Sequence, residues 1–308
     1  MTNNVFATDS DGGSTASNTV ARESQRERIP SRIKSFSRRG GRFVRQYEDL
    51  LAEHGPEFVI DIPAGDTPTT IAVDAVVDLT KEFGREAPLV VEIGPGSGEQ
   101  LVSYAKAHPE QNILAIEAWH PGVARCVANA VRGGANNVRL VEGDCAQILP
   151  ILFGLASAGV EDPAQILELG PELDLTNPNS SNPRASMMWT FFPDPWRKAR
   201  HRKRRLVSAS FTGIAAGVLA PGGLWRMATD WEDYAWQMRD EVEASPYFDN
   251  AHAGERPDAN DPDGKRGGFA PRWDGRLMTR FEERGLEAGR SVHDVTAVRR
   301  ELSAGGKH

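Results

Sequence analysis

A single carboxylate held between two prolines is the most reactive-looking feature of this sequence. Asp194 follows an apolar run, residues 187–192, that is typical of a buried strand. Because proline fixes φ and restricts the residue before it, Pro193 and Pro195 should present the Asp194 side chain on a stiff turn. Seven Lys or Arg residues follow within residues 197–205, a density that suits a polyphosphate partner. A rigid acid beside a phosphate-binding surface predicts chemistry on a nucleic acid base.

The basic residues are concentrated in two short segments. The 308 residues carry a formal net charge of -7, a value that by itself argues against a nucleic acid partner. Nine of the 36 Lys and Arg residues lie in 22–45 and seven in 197–205, where the only acids are Glu23 and Glu27. Two basic segments on an acidic background favour a defined binding stripe over a uniformly solvated charged surface.

Composition excludes membrane and secreted classes of protein. The hydrophobic content of 39% permits a sizeable core, and no apolar run approaches membrane-spanning length. The N-terminus shows no signal peptide, so we expect a soluble cytoplasmic protein. Cys126 and Cys145 match no metal-ligand spacing and fit a reducing compartment as small buried hydrophobes. We therefore expect no membrane and no metal partner, and the sequence leaves the choice between monomer and homodimer open.

Composition also divides the chain into three regions. Residues 1–21 are rich in Asn, Ser, Thr, Gly and Asp and are predicted to be a disordered tail. Residues 22–57 are predicted to form a basic arm and a helix, and residues 58–308 the main domain. A segment at about 152–185, with many Asn, Pro and Ser in its second half, predicts a flexible surface insertion. Residues 253–276 have a similar loop-like composition.

The main domain alternates short apolar strands with helices. Apolar runs predict strands over 89–93, 113–117, 138–142, 187–192, 224–228 and 292–298. Helical spacing predicts helices over 46–57, 69–83, 99–108, 121–132 and 204–219. This alternation predicts an α/β fold of the Rossmann-like type, a mostly parallel sheet with helices on both faces.

A glycine loop follows the first of these strands and opens the next helix. It contains Glu92, Gly94, Gly96 and Gly98, and glycines at such a place let the backbone approach a ligand closely. The dinucleotide fingerprint would need a third glycine where Glu99 stands. The pattern instead suits S-adenosylmethionine, whose sulfonium and amino groups are cationic and whose binding nearby carboxylates would favour.

Two further carboxylates lie at the ends of the next strands. Glu117 comes 19 residues after Gly98, where a carboxylate can accept hydrogen bonds from both ribose hydroxyls. Asp144 lies just past the third strand, where it can accept from the adenine amino group. Because open α/β sheets bind ligands outside the carboxyl ends of their strands, these acids with Glu92 predict a cofactor crevice. The competing interpretation is three solvated loop acids.

The remaining strand ends suggest chemistry on guanine. Asp194 and Asp230 would place two acids on one rim, able to accept hydrogen bonds from N1 and the exocyclic amino group of guanine. Guanine N7 has a lone pair and no proton to lose, so its methylation needs alignment rather than a general base. An amino-group methyltransferase must handle a departing proton, and its usual Asp-Pro-Pro-Tyr-like motif is absent from this sequence. The alternative roles of Asp194 are an N-cap or a turn acid.

Cations after the proline turn are predicted to bind RNA phosphates, which positions an RNA without reading its sequence. These cations are Lys198, Arg200, Arg202, Lys203, Arg204 and Arg205. Trp196 is interpreted either as a base-stacking residue or as a core or lid residue. His201 has no metal-ligand partner nearby and is interpreted as a surface or phosphate-contacting residue.

Together these motifs resemble the bacterial tRNA (guanine-N7-)-methyltransferases over roughly residues 31–300. The matching segments are 91–98, 191–205, 228–234, 279–282 with 284–285, and the basic segment 31–47. The resemblance implies a class I methyltransferase fold that binds S-adenosylmethionine through Glu92, Glu117 and Asp144, with Asp194 in the active site. It implies that the substrate is a guanine in the tRNA variable loop.

The resemblance also implies a set of substrate contacts: Lys198, Asp230, Thr279, Arg280, Phe281 and Glu282. The chain departs from the family pattern in three places. Arg280 stands where the family often has lysine, a change of hydrogen-bonding geometry at constant charge. Arg197 stands where the family often has a further proline, and the insertion at about 152–185 is unusually long.

We predict from the sequence an enzyme that methylates N7 of a tRNA guanine. The nearest alternative is a methyltransferase of another RNA guanine. A different class is a non-catalytic tRNA-binding protein that has kept the fold, against which the intact Glu92, Glu117, Asp144 and Asp194 argue. A nicotinamide oxidoreductase is disfavoured by Glu99 and by the lack of a catalytic tyrosine or histidine constellation.

Overall fold

A computed structural model describes residues 34–36, 45–155 and 180–301, with the side chains of Arg280 and Phe281 left out. The predicted disordered tail, most of the basic arm and the body of the predicted insertion lie outside the described residues. The described residues therefore comprise mainly the helix after the arm and the main domain on either side of the insertion.

The described strands form one seven-stranded sheet in the order β3-β2-β1-β4-β5-β7-β6. The strands are β1 (Leu89–Ile93), β2 (Asn112–Glu117), β3 (Val138–Glu142), β4 (Ala185–Phe191), β5 (Leu219–Thr229), β6 (Phe248–Asn250) and β7 (His293–Arg299). The first five strands run parallel, and β7 pairs antiparallel with both β5 and β6. The predicted mostly parallel α/β sheet is confirmed.

Helices cover both faces of this sheet. They are α1 (Arg45–Phe58), α2 (Leu79–Phe83), α3 (Glu99–Ala107), α4 (His120–Gly133), α5 (Cys145–Leu152), α6 (Ala209–Val218), α7 (Glu232–Ala244) and α8 (Arg280–Glu287), with a 3₁₀ helix at Ala199–Arg204. Side chains alternate across each strand, so Val90 packs with α1, α3 and α4 while Val91 packs with α5, α6 and α7. Each face of the sheet therefore has its own buried core.

The predicted helix over 69–83 is wrong except for its last turn. The backbone before α2 forms a bridge between Ala64 and Ile71, and the amide of Gln147 on α5 binds both the N–H and the carbonyl of Ile71. The helix begins only after Asp78, whose side chain accepts from the backbone N–H of Lys81. A tertiary contact and a cap override the helical spacing of this stretch.

The predicted helix over 204–219 begins too early. Residues 199–204 form the 3₁₀ helix instead, and α6 starts after Ser208, whose hydroxyl oxygen accepts from the N–H of Phe211. The chain then enters β5 at Leu219, five residues before the predicted strand over 224–228.

The loop-like segment 253–276 is tied to α7 by a buried arginine. Arg239 has a fully buried side chain, and its guanidinium pairs with the buried Asp261 at 2.8 Å and donates to the carbonyl of Gly267 at 3.1 Å. Asp263 adds a further ion pair at 3.1 Å. The short strand β6, which the sequence did not predict, lies just before this segment.

Cys126 and Cys145 are both buried in the core, as predicted. In the described part of the chain, every helix is too short or too polar to traverse a lipid bilayer.

Candidate active site

Five carboxylates lie at one edge of the sheet, at or just after the ends of five neighbouring parallel strands. In sheet order they are Asp144, Glu117, Glu92, Asp194 and Asp230; Glu92 and Glu117 lie within the last two residues of β1 and β2, and the other three come just after β3, β4 and β5. The parallel order of these strands brings all of the acids predicted from the sequence to the carboxyl edge, where open α/β sheets bind ligands.

The glycine loop after β1 has a backbone that only glycine adopts easily. Gly94, Gly96 and Gly98 have φ angles of 69°, 61° and 78°. A side chain on Gly98 would lie 2.9 Å from the sulfur of Cys126, whereas the positions above Gly94 and Gly96 face open space. The loop therefore packs closely on α4 at one end and leaves room for a ligand at the other.

Glu92 is a buried acid, and one of its oxygens has no partner in the part of the chain that the structure describes. The residue is 4% exposed, and Oε2 has no hydrogen-bond donor among the described residues. Burial, with a smaller contribution from the nearby Glu117 carboxylate, raises the pKa of Glu92 to about 8. An orphaned buried carboxylate beside a glycine loop fits a cationic group of a ligand.

Glu117 is already oriented by the backbone around it. Its Oε2 accepts from the N–H of Gly96 at 3.0 Å and its Oε1 from the N–H of Trp119 at 2.9 Å. Burial raises the pKa of Glu117, although these two N–H bonds act in the opposite direction. The acid thus links the end of β2 to the glycine loop after β1.

Gly122 on α4 supports the same acid and was missed by the sequence-based reasoning. A side chain at Gly122 would lie 3.0 Å from Cγ of Glu117 and 2.9 Å from the carbonyl oxygen of Gly96. Its only signal in the sequence is a glycine near a helix start, five residues after Glu117, which by itself points to no function.

Asp144 has a structural role in addition to its predicted one. Its Oδ1 accepts from the N–H of Ala146 at 3.1 Å and caps α5. Its own N–H donates to the carbonyl of Thr69 at 2.8 Å, and the residue is 2% exposed. The cap fixes the direction of the carboxylate at the end of β3.

The turn that carries Asp194 has an unusual backbone on both sides. Phe192 and Trp196 have φ angles of 51° and 43°, values that are rare for bulky residues and persist only when the surroundings hold them. The N–H of Phe192 donates to the carbonyl of Ala228, and the indole N–H of Trp196 donates to the carbonyl of Ser35, each at 2.8 Å. Asp194 is half-buried within this held turn.

Trp196 and Arg197 each take part in a cation–π contact within the chain. The guanidinium of Arg204 lies 3.7 Å from the ring centroid of Trp196, and that of Arg197 lies 4.6 Å from the ring centroid of Trp231. Of the interpretations left open for Trp196, these contacts agree with a packed residue at the rim.

The basic cluster divides into exposed and internal members. Lys198, Arg200, Arg202 and Lys203 are exposed, and Arg204 is half-buried, with its Nε donating to the carbonyl of Lys34.

The prediction that Arg205 binds RNA phosphates has to be corrected, because its side chain is only 1% exposed. It donates to the carbonyl of Pro195, to Gln237 and to the carboxylate of Asp233. These bonds use its guanidinium within the protein, so Arg205 is a support of the turn and not a phosphate contact.

The segment from Thr279 to Glu282 starts α8. The Thr279 hydroxyl oxygen accepts from the N–H of Glu282 and caps the helix, and Arg290 donates to Asp230 at 2.7 Å. Glu282 is 1% exposed and pairs with Arg272 and Arg276, so its carboxylate is directed inward and the expectation of a direct substrate contact is corrected. The predicted contacts of the Arg280 and Phe281 side chains lie outside what the structure describes.

Arg276 is a second residue that the sequence-based reasoning missed. It is 2% exposed and pairs with Asp294 of β7 at 2.8 Å as well as with Glu282 at 3.1 Å. Its guanidinium lies 5.4 Å from the ring centroid of Phe192. The segment before α8 therefore packs against the turn that carries Asp194.

Comparison with known proteins shows which protein family the chain resembles. A family model described as "Putative methyltransferase" matches residues 86–157 and 178–295. The stretch that it skips lies within the predicted insertion.

Curated relatives match most of the chain. A tRNA (guanine-N(7)-)-methyltransferase of Cutibacterium acnes is 37% identical over 88% of this chain and 84% of its own length. That of Nocardioides sp. is 37% identical over 87% and 88%. That of Yersinia enterocolitica is 36% identical over 89% and 94%.

Proposed function

The chain belongs to the tRNA (guanine-N7-)-methyltransferase family, and on that premise we propose that it methylates N7 of a guanine in the tRNA variable loop. The observation that carries the proposal is the row of five carboxylates at one sheet edge, in which the buried Glu92 has an oxygen that no described residue binds.

The first three acids of this row fit S-adenosylmethionine, which when bound supplies a methyl group on a cationic sulfur. Glu92 offers its unpartnered oxygen to a cationic group. Glu117 and Asp144 are held by backbone N–H groups at the ends of β2 and β3, where they would bind the nucleoside part of the cofactor. The glycine loop, open above Gly94 and Gly96, gives the ligand close access to the backbone.

The last two acids, Asp194 and Asp230, are proposed to hold the guanine. Carboxylates accept hydrogen bonds from N1 and the exocyclic amino group, which fixes the ring and turns N7 toward the cofactor side of the rim. N7 carries no hydrogen, so no residue has to remove a proton, and the ring gains positive charge as the new bond forms. A negative carboxylate held in a stiff turn stabilises that charge without reorganising.

The exposed cations after the turn are proposed to bind the tRNA backbone. Lys198, Arg200, Arg202 and Lys203 reach solvent on the 3₁₀ helix next to Asp194, and phosphate contacts there would set the register of the RNA over the acid. A tRNA substrate in turn locates the protein in the cytoplasm.

Methyl transfer from labelled S-adenosylmethionine to a tRNA transcript tests this function directly. We expect 7-methylguanosine in the nuclease digest, identified by mass spectrometry, and its loss when the variable-loop guanine is replaced. Another methylated nucleoside would overturn the regiochemistry. Binding of tRNA without methyl transfer would support the competing class, a tRNA-binding protein that has kept the fold.

A further inference from the structure

Gln100 joins the start of α3 to the segment that leads into α8. Its side chain is buried, its Nε2 donates to the carbonyl oxygen of Gly275 at 3.0 Å, and its Oε1 accepts from the N–H of Leu277 at 2.6 Å. Both ends of one amide are thus used on one segment. Gln100 itself is 4% exposed, so its amide depends on these two bonds for its hydrogen-bond partners, and the clamp ties the segment to α3.

An aromatic contact on the same face of α3 reinforces the clamp. Tyr104 follows Gln100 by four residues, so both side chains lie on one side of the helix. The Tyr104 ring centroid lies 5.9 Å from that of Trp273 in the clamped segment. A side chain at Gly275 would collide with the Trp273 ring, which keeps the turn that presents the Gly275 carbonyl tight. The segment is therefore fixed to α3 at two points.

The clamped segment continues into residues 279–281, which the family resemblance implies as substrate contacts. Thr279 caps α8 two residues after Leu277, and Gly285 on α8 is so close to Asp230 that an added side chain would lie 3.2 Å from that acid. A displacement of the segment at Leu277 would therefore move the start of α8 relative to Asp230.

The helix that carries Gln100, α3, begins at the glycine loop. Gly98 is the N-cap of α3 with a left-handed backbone, and Gln100 is the second residue of the helix. A ligand that orders the glycine loop would therefore also order the amide of Gln100.

We propose that Gln100 is a positioning residue that couples cofactor binding to tRNA binding through residues 275–282. The inference rests on the function proposed above and adds a physical route between the two binding sites. Coupling of this kind is a free energy shared between sites, and it requires that each ligand change the affinity for the other by the same factor.

The test measures the dissociation constant of tRNA with and without saturating S-adenosylhomocysteine, on the full chain. The ratio of the two constants is the coupling factor. For the wild type we expect tighter tRNA binding with the cofactor product, by about fivefold or more. Gln100→Leu, which has nearly the same size but makes neither hydrogen bond, should reduce the factor by about twofold or more, toward one.

Gln147→Leu is the matched control. Gln147 makes the same two-bond clamp, at 3.0 and 2.8 Å, but on Ile71 and not on the segment before α8. Its two bonds are buried, so Gln147→Leu should cost at least as much stability as Gln100→Leu and still keep the coupling factor of the wild type. Gln100→Glu, which keeps an acceptor for Leu277 but loses the donor to Gly275, gives a second and milder variant with an intermediate factor.

A wild-type coupling factor near one, or an unchanged factor in both Gln100 variants, would overturn the inference. A reduced factor in Gln147→Leu as well would also overturn it, because loss of any buried clamp would then have the same effect. The wild type's own methyl transfer to tRNA, measured in parallel, tests the proposed function separately, so a failure of one is distinguishable from a failure of the other.

Discussion

Arg205 donates from its Nε to the carbonyl oxygen of Pro195 at 2.9 Å, and this bond supports the proline turn from within the protein. The same guanidinium is held by Gln237 and by the carboxylate of Asp233. The cation at the end of a dense basic run thus stabilises the acid-bearing turn, while the exposed cations before it face solvent.

Replacing Arg205 by alanine should lower both stability and turnover. Asp233 keeps a second partner in Arg202, so we expect a loss of about 1.5–3 kcal/mol in the free energy of unfolding, from charged hydrogen bonds. A turn displaced on the scale of an ångström should lower turnover by roughly 10²-fold. Urea unfolding and single-turnover methylation measure the two effects. An unfolding free energy equal to that of the wild type would contradict the supporting role.

Replacing the exposed Lys203 by alanine should weaken tRNA binding and leave the stability of the protein unchanged. Loss of one phosphate contact should weaken tRNA binding for all sequences and reduce the slope of log affinity against log salt by about 1. The free energy of unfolding should stay within about 0.5 kcal/mol of the wild type. Arg205→Ala is the natural comparison, because it should leave the salt slope intact; the same slope in Lys203→Ala and wild type would remove Lys203 from the RNA interface.

Asp194→Asn should reduce turnover by about 10²-fold or more, since a neutral amide cannot stabilise the positive charge that develops on the guanine ring. Affinity for S-adenosylmethionine should change little, because Asp194 follows β4 and not the strands of the cofactor acids. Asp249→Asn is a suitable control, being an exposed acid on β6. Near-normal turnover of Asp194→Asn in single-turnover assays would refute the assigned role.

Cofactor binding should depend on pH through Glu92. The pKa of Glu92 in the protein without cofactor is about 8, so most molecules carry its proton at pH 6. A cationic ligand favours the ionised form, and binding should therefore release a proton and tighten as the pH rises from 6 to 8. Titration calorimetry with S-adenosylmethionine in buffers of different ionisation enthalpy measures this release.

The stability of the cofactor-free protein should change in the opposite sense. Because the folded pKa of about 8 lies above the ordinary value of 4.5, the folded state binds a proton that the unfolded chain loses. The stability that this proton contributes is fully present below pH 4.5 and is lost as the pH rises through about 8. Glu92→Gln cannot titrate, so it should lack both the proton release and this part of the pH dependence.

Arg239→Met should destabilise the protein by about 3–5 kcal/mol, because the buried carboxylate of Asp261 is left without its cation. Burial alone would raise the pKa of Asp261, but the N–H groups of Asp263 and Gly267 and the Arg239 guanidinium lower it to about 2. The stabilisation is therefore present above pH 4 and is lost as the pH falls toward 2.

Thermal unfolding between pH 2 and 7 checks the Arg239 prediction. The added change Asp261→Asn should recover part of the loss, since it removes the uncompensated charge. Arg300→Met breaks the exposed pair with Asp249 and should cost less than about 1 kcal/mol. Equal losses in Arg239→Met and Arg300→Met would contradict the importance of burial.

The central strands could be predicted from the sequence because each is a mainly apolar run between turn residues, as Leu89–Ile93 is. The order of these strands explains why acids at successive strand ends could be predicted to share one edge. Strand β6 could not be predicted, because it has three residues and exists only through its pairing with β7. The stretch before α2 was mispredicted, because a side chain 76 residues away, Gln147, holds it extended.

The inward side chains of the site could not be predicted for the same reason. Nothing in the basic run distinguishes Arg205 from Arg204, and the partners that bury Arg205 are about 30 residues away on α7. Glu282 likewise owes its burial to Arg272 and Arg276, which belong to a segment of loop-like composition. The local sequence pattern indicates the type of chemistry at this edge of the sheet. Long-range contacts decide which of the charged side chains are left to face a ligand.

The place of β7 in the sheet has a consequence for synthesis on the ribosome. Of the described strands β7 is the last along the chain, yet it lies between β5 and β6, both made earlier. Until β7 emerges, β5 has an unpaired edge and Arg276 lacks the carboxylate of Asp294. The nascent chain can assemble its cofactor half first, but the segment beneath the Asp194 turn should become ordered only after the strand that completes the sheet has been added.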